Sequence, residues 1–152
     1  MRIAVAADHA GYDIKEVVAA HLRVQGHDVL DLGVDTAAVP SDYPDAAAAV
    51  AQAIRTGDAE RGVLVCGSGV GASVAANKFR GILAAICHDT YSARQGVEHD
   101  QMNVLVLGGR IIGEALARDL VDAFIGAEFD GVERHQRRVD KITAIELEEM
   151  GR

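Results

Sequence analysis

The sequence predicts a doubly wound α/β fold, one parallel sheet of five strands with helices on both faces. Three observations lead there. Short apolar runs, each closed by glycine or by a polar pair, read as strands buried on both faces. Segments with apolar residues at helical spacing alternate with those runs, the order that builds a parallel sheet. The composition is 49% hydrophobic but only 4% aromatic, with no Trp, so small aliphatic residues must fill the core and helices can lie close on the sheet. A length of 152 residues suits a single domain over 1–152 with a sizeable core.

The elements follow in order. Ile3 to Ala6 is the first strand, and Ala7-Asp8-His9-Ala10-Gly11 is its exit. Ile14, Val17, Val18 and Leu22 mark a helix that stops near Gly26. His27 to Leu32 is a second, more polar strand ended by Gly33. After a loop containing Pro40, Asp42 is placed to cap an alanine-rich helix reaching Ile54. Val63 to Cys66 is the third strand, followed by a glycine-rich turn and a helix to Lys78. Ile82 to Ile86 is the fourth strand, with Cys87-His88-Asp89 at its exit and a short helix from Thr90 to Val97 behind it. Val104 to Leu107 is the fifth, leaving through Gly108-Gly109-Arg110. Gly113 to Ala127 is amphipathic through Leu116, Leu120, Val121 and Phe124. A last helical segment, about 132–150, opens with the basic run Arg134-His135-Gln136-Arg137-Arg138.

Charge and cysteine usage exclude several classes. A net charge of −8 argues against nucleic acid or an anionic membrane as partner, so an anionic substrate needs a local cluster of cations. The two cysteines, 66 and 87, end separate strands and form no disulfide framework, which fits a reducing, cytoplasmic setting. Met1-Arg2-Ile3 runs straight into a strand, so no leader is expected, and no apolar run reaches membrane-spanning length.

The stretch that carries chemistry is Cys66-Gly67-Ser68-Gly69-Val70-Gly71. A helix N-terminus behind a tight turn offers unpaired N–H groups and a dipole that favour an anion, typically a phosphate. Glycines at 67, 69 and 71 let a ligand approach the backbone. Three functional readings compete with a plain buried cysteine beside a turn. Gly67-x-Gly69-x-x-Ala72 matches a dinucleotide fingerprint, with Asp89 about 20 residues on, which would make a nucleotide-binding or regulatory module. That fingerprint belongs on the first strand–helix turn, and two units precede it here. A Walker loop is excluded, because no Gly-Lys-Ser/Thr follows. The third reading is a phosphosugar enzyme in which Cys66 is an acid or base.

Ligands of doubly wound sheets bind beyond the carboxyl ends of the strands, and Asp8-His9, Cys66, His88-Asp89 and Arg110 all fall there. Asp8 equally suits a turn-forming role. Arg134, His135 and Arg138 set cations at a helix N-terminus, against the dipole, which calls for a bound anion. His99 precedes the fifth strand, at the opposite edge, so it is either structural or acts on a neighbouring subunit. The pairs Asp8-His9, His88-Asp89 and His99-Asp100 lack the spacing of metal ligands, so no metal is expected.

Together these residues resemble the ribose-5-phosphate isomerase B / galactose-6-phosphate isomerase family. The matching pieces are Ala7 to Tyr12, Asp42-Tyr43-Pro44, Cys66 to Gly71, Ala75-Ala76-Asn77-Lys78, His99 with Asn103, Gly108-x-Arg110, and Arg134-His135 with Arg138. The resemblance implies a Rossmann-like three-layer sandwich and a homodimer, or a tetramer built from it, with sites shared between subunits. It implies aldose–ketose isomerisation of a phosphosugar, without metal or cofactor. Cys66 would move a proton between C1 and C2 through an enediol(ate). Ser68 and the backbone N–H groups of Gly67, Gly69 and Gly71 would stabilise the oxyanion, and His99 would open the furanose ring. Asp8, His9, Tyr43, Asp100 and Asn103 would line the sugar, and Arg110, Arg134 and Arg138 would hold the phosphate. The partner chain would supply His99 and Arg110. Another branch of the family has a Glu base at the position of Ala72, so here the thiol stands alone. Val97-Glu98-His99-Asp100 departs from the Arg-x-His-Asn common among ribose isomerases, and an Asp-Gly-Val-Glu stretch precedes Arg134. Ribose 5-phosphate is the expected substrate, with a four-carbon or a six-carbon phosphosugar as the alternative.

Overall fold

In a computed structural model of the chain, which describes residues 1–151, eleven elements alternate as expected. They are β1 (Arg2–Ala7), α1 (Tyr12–Val24), β2 (Asp28–Asp31), α2 (Tyr43–Arg55), β3 (Arg61–Cys66), α3 (Val70–Ala76), β4 (Ala84–Ile86), α4 (Thr90–Asp100), β5 (Val104–Gly108), α5 (Glu114–Ile125) and α6 (Glu133–Glu149). The five strands are all parallel and lie in the order β2-β1-β3-β5-β4. The architecture is the expected Rossmann-like α/β sandwich.

The two-residue period of the strands sorts the core into two halves. Ile3, Val5, Val63, Val65, Leu105 and Leu107 face α1, α4 and α5, through Val18, Leu22, Val97, Leu120 and Phe124 among others. Ala4, Ala6, Leu64, Cys66, Val104 and Val106 face α2 and α3, where Ala47, Val50, Ala51, Ala72 and Ala76 meet them. Alanine on both sides lets α2 and α3 sit close to the sheet, and it puts the Cys66 side chain on their face.

Several element limits differ from the sequence reading. β2 and β4 are shorter than His27–Leu32 and Ile82–Ile86, because they are edge strands and pair on one side only. Leu83 serves as a staple instead, donating its N–H to Asn103 Oδ1 at 2.8 Å and accepting the Asn103 N–H at 3.0 Å. α4 runs past Val97 to Asp100 and ends at Gln101 with φ 56°. The polar residues 98–100 continue the helix because α6 packs against it. Asp42 does occupy the N-cap of α2, but its side chain makes no capping bond there.

The direction of winding reverses between β1 and β3, which opens a crevice beyond their carboxyl ends. Lys15 braces that end of the sheet. Its buried ammonium meets Asp31 at 2.8 Å, Glu16 at 2.9 Å and the Val34 carbonyl at 2.9 Å. Burial opposes its charge, but the hydrogen bonds to Asp31 and Glu16 more than offset that and raise its pKa. No helix among the described residues is long and apolar enough to cross a membrane.

Candidate active site

The crevice holds a cavity of ≈ 370 Å³ lined by Asp8, His9, Ala10, Tyr43, Cys66, Gly67, Ser68, Gly71, Arg110 and Ile111. That volume suits a small polar ligand. A larger open groove of ≈ 770 Å³ between Arg80 and the end of α6 gathers no thiol or histidine.

Cys66 closes β3, and the chain then folds back over it. The Gly69 N–H donates to Cys66 Sγ at 3.2 Å, which stabilises negative charge on sulfur. That contact needs Gly69 in the left-handed region, at φ 85°, and Gly69 is the N-cap of α3. Val70 N–H donates to Ser68 Oγ at 3.2 Å, leaving the Ser68 hydroxyl proton for a ligand. Gly69 and Val70 are thus committed within the loop. The N–H groups of Gly71 and Ala72, in the first turn of α3, have no intrahelical partner and face the crevice end of the helix. Gly71 is required for another reason: a Cβ there would lie 2.4 Å from the Tyr43 ring, which therefore packs flush over the start of α3.

The other strand exits supply the rest. Asp8 Oδ1 accepts the Gly11 N–H at 3.0 Å, so the turn-forming role is real, and the same residue lines the cavity. His9 Nδ1 lies against the Ser41 backbone, 3.1 Å from its N and 3.2 Å from its O, which leaves Nε2 for the cavity. Arg110 corrects an expectation. It lines the cavity of its own chain, because β5 is the neighbour of β3 and their exits are laced together. Gly109 N–H donates to the Cys66 carbonyl at 2.7 Å and Arg110 N–H to the Gly67 carbonyl at 2.9 Å. Two polar residues of the same edge serve structure. His88 Nε2 accepts the Gly108 N–H at 2.9 Å, and Asp89 caps α4 by accepting the Ser92 N–H at 2.7 Å. Asp89 is therefore not available as the ribose-binding acid of a dinucleotide site.

Five of the expected site residues lie elsewhere. His99, Asp100, Asn103, Arg134 and Arg138 sit at the amino edge of the sheet, where α4 ends and α6 begins. β3 is six residues long. At about 3.3 Å per residue it separates the edges by roughly 17 Å, too far for His99 to meet Cys66 in one chain. Asn103 has its amide committed to the Leu83 N–H and to the Gly81 carbonyl, each at 2.8 Å, and has no place in the cavity of its own chain. Asp100 is exposed, its Oδ2 3.5 Å from Gln95 Nε2. Arg134 and Arg138 are one turn apart on α6, and neither forms an ion pair among the described residues, whereas Arg137 between them pairs with Glu133 at 3.0 Å.

The sequence reading missed what surrounds His99. His135 is buried, stacks on the His99 ring with centroids 3.8 Å apart, and contacts Asp130 through Nδ1 at 2.9 Å. His99, Asp130 and His135 place ligand atoms within 4.8 Å of one another. Their geometry is poor for a metal, because stacked imidazoles carry their lone pairs in parallel planes that do not converge on one ion.

Known proteins resemble this chain over nearly its whole length. A family model described as Ribose/Galactose Isomerase matches residues 3–142. Ribose-5-phosphate isomerase B of Escherichia coli is 46% identical over 145 residues, 95% of this chain and 96% of that protein. D-erythrulose-4-phosphate isomerase of Pectobacterium atrosepticum is 41% identical over 131 residues, 86% of each. The structure of ribose-5-phosphate isomerase B from Clostridium thermocellum superposes with a TM-score of 0.94 at 44% identity, covering 97% of this chain and 99% of that one.

Proposed function

The chain belongs to the ribose/galactose isomerase family, enzymes that interconvert aldose and ketose sugar phosphates, and from that premise we propose that it converts ribose 5-phosphate to ribulose 5-phosphate with Cys66 as the proton carrier. The observation that supports the reading most is the thiol itself. It ends β3 inside a small polar cavity, with the Gly69 N–H on its sulfur and a cation, Arg110, opposite. The Cys66 thiolate takes the C2 proton of the open aldose, and the electron pair forms the C1=C2 enediolate. Sγ–H, whose proton can trade with water, returns a proton to C1 while the O2 proton passes to O1, which yields the ketose. The Ser68 hydroxyl and the N–H groups of Gly71 and Ala72 are the donors left to meet the developing oxyanion. Asp8, His9 and Tyr43 bind the sugar.

The active unit is a homodimer in which the amino edge of one chain completes the cavity of the other. His99 of the second chain opens the furanose ring, and its Arg134 and Arg138 join Arg110 on the phosphate. α6 supports this pairing. Only His135 and Val139 of its residues are buried, while Ile142, Ile145, Leu147 and the adjoining Met150 are exposed, Ile145 by 61%. An apolar helix face of that kind marks an interface.

A panel of four-, five- and six-carbon aldose phosphates, assayed for ketose formation, tests the substrate. Ribose 5-phosphate is expected to be turned over. Conversion of erythrose 4-phosphate alone would instead assign the four-carbon reading, which the second relative and Asp100 favour. An ionised Asp accepts hydrogen bonds only, whereas an Asn also donates. An unmatched polar group costs about 1–3 kcal/mol, so Asp100→Asn is expected to shift kcat/KM towards ribose 5-phosphate by roughly five- to 150-fold. An unchanged ratio across the panel would mean that Asp100 touches no sugar.

The chemistry proposed needs no metal. Dialysis against EDTA is expected to leave the rate unchanged. Activity lost on dialysis and restored by one divalent ion would overturn that, and His99, Asp130 and His135 would be the ligands to test.

A further inference from the structure

We propose that Asp130, gripped by His135, is a positioning residue for His99; this rests on the reading of His99 as the ring-opening group. The three residues come from separate pieces of chain: the end of α4, the α5–α6 connection and the first turn of α6. Asp130 is fixed from several sides. Its N–H donates to the Glu98 carbonyl at 3.0 Å, one residue before His99. Its Oδ1 accepts the Val132 N–H at 3.0 Å, and both carboxylate oxygens lie 2.9 Å from His135 Nδ1. The hydrogen bond from His135, then that from Val132, holds this carboxyl below the usual carboxylate range, so it stays ionised.

His99 is set against that fixed anion. The buried His135 ring stacks on it at 3.8 Å and 22°, which defines the plane of the imidazole. Gln95 Nε2 lies 2.9 Å from His99 Nδ1, so Nδ1 accepts and Nε2 carries the proton. Nε2 lies 3.8 Å from Asp130 Oδ2, near enough for the charge to act and too far for a hydrogen bond. Nε2–H is therefore free to face a ring oxygen brought by a second chain. Once the ring has taken up a second proton, Nε2–H gives its own to O4 as the C1–O4 bond breaks and the anomeric O1–H proton leaves to water, and Asp130 offsets the positive charge held in between. Asp130 touches no substrate in this arrangement; it acts through His99. A residue that merely held α6 in place would affect Arg134 and Arg138 alike, and with them every phosphosugar.

Ring opening can be separated from proton transfer at carbon. Ribulose 5-phosphate cannot close a furanose ring, because its O5 carries the phosphate. Exchange of its C1 proton with solvent deuterium therefore needs the thiol but no ring chemistry. Asp130→Asn is expected to lower conversion of ribose 5-phosphate roughly tenfold, part of the 10²–10⁴ that a general acid contributes, and to leave C1 exchange within about twofold. Asp130→Glu is expected to recover most of the conversion. In the dimer, imidazole ¹⁵N spectra are expected to show His99 as the Nε2–H tautomer, with its signals moved in Asp130→Asn. Equal loss of conversion and exchange, or unmoved His99 signals, would overturn the proposal. The His99→Ala variant separates the two failures. If it keeps full conversion, the ring-opening reading itself falls; if it loses conversion while Asp130→Asn does not, only the positioning role falls.

Discussion

Cys66→Ala is expected to lower the isomerisation rate by about a thousandfold, within the 10²–10⁴ that a general base contributes, or roughly 3–5 kcal/mol. The fold and phosphosugar binding are expected to survive, because the change removes one sulfur atom from a core face already built of alanine. No neighbour can take over. Ala72 has no titratable group, Asp8 Oδ1 is tied to the Gly11 N–H, and His9 Nδ1 accepts the Ser41 N–H, so the Nε2 that faces the cavity carries the proton and has no free lone pair. The second thiol is unsuited as well. Cys87 packs in the opposite half of the core, with its Sγ 3.9 Å from Met102 Sδ. Burial, and then the charge of Asp89, pushes its pKa up to about 11. Cys87→Ala is accordingly the matched control, expected to keep full activity. The readouts are kcat for ribose 5-phosphate and C1 proton exchange on ribulose 5-phosphate; both should fall in Cys66→Ala. A variant retaining more than about a tenth of the rate, a loss under about 1.4 kcal/mol, would remove Cys66 from the proton transfer.

Much of this site was legible because a parallel sheet sorts residues by their place on a strand. The apolar runs Val63–Cys66 and Val104–Leu107 are buried on both faces in β3 and β5, and their ends could be read to within one residue. The residues just beyond them, with Asp8 and His9, had to share one edge. What the sequence does not carry is lateral order. β5 lies between β3 and β4, and only that insertion brings Arg110 into the cavity of its own chain. Edge strands were overextended, since an apolar run such as Ile82–Ile86 does not say how many of its residues find a partner. Asp130 was invisible for a similar reason. It stood out only as the first residue of the Asp-Gly-Val-Glu stretch before Arg134, and its role depends on α6 crossing α4. His135 stood in a basic run and read as one more cation of an anion-binding helix start. Its burial, with Val139 four residues on, reveals the inner stripe of α6, which two apolar-facing positions in 17 residues were too few to signal.

In the proposed dimer the thiol of one chain and the histidine of another make one site. Cys66 ends β3 and His99 lies at the far edge of the same sheet, so within one chain they are separated by the length of a strand. In a symmetric dimer each site then takes its cradle from one subunit and its ring-opening edge from the other. The Cys66→Ala and His99→Ala chains should each be nearly inactive towards ribose 5-phosphate alone. Unfolded together in equal amounts and refolded, they should pair at random, giving about half heterodimers, each with one intact site and one doubly defective site. The mixture is therefore expected to recover about a quarter of wild-type specific activity, and separately refolded chains mixed afterwards should recover it only as fast as subunits exchange. Heterodimers isolated by differential tags that remain inactive would contradict the shared site.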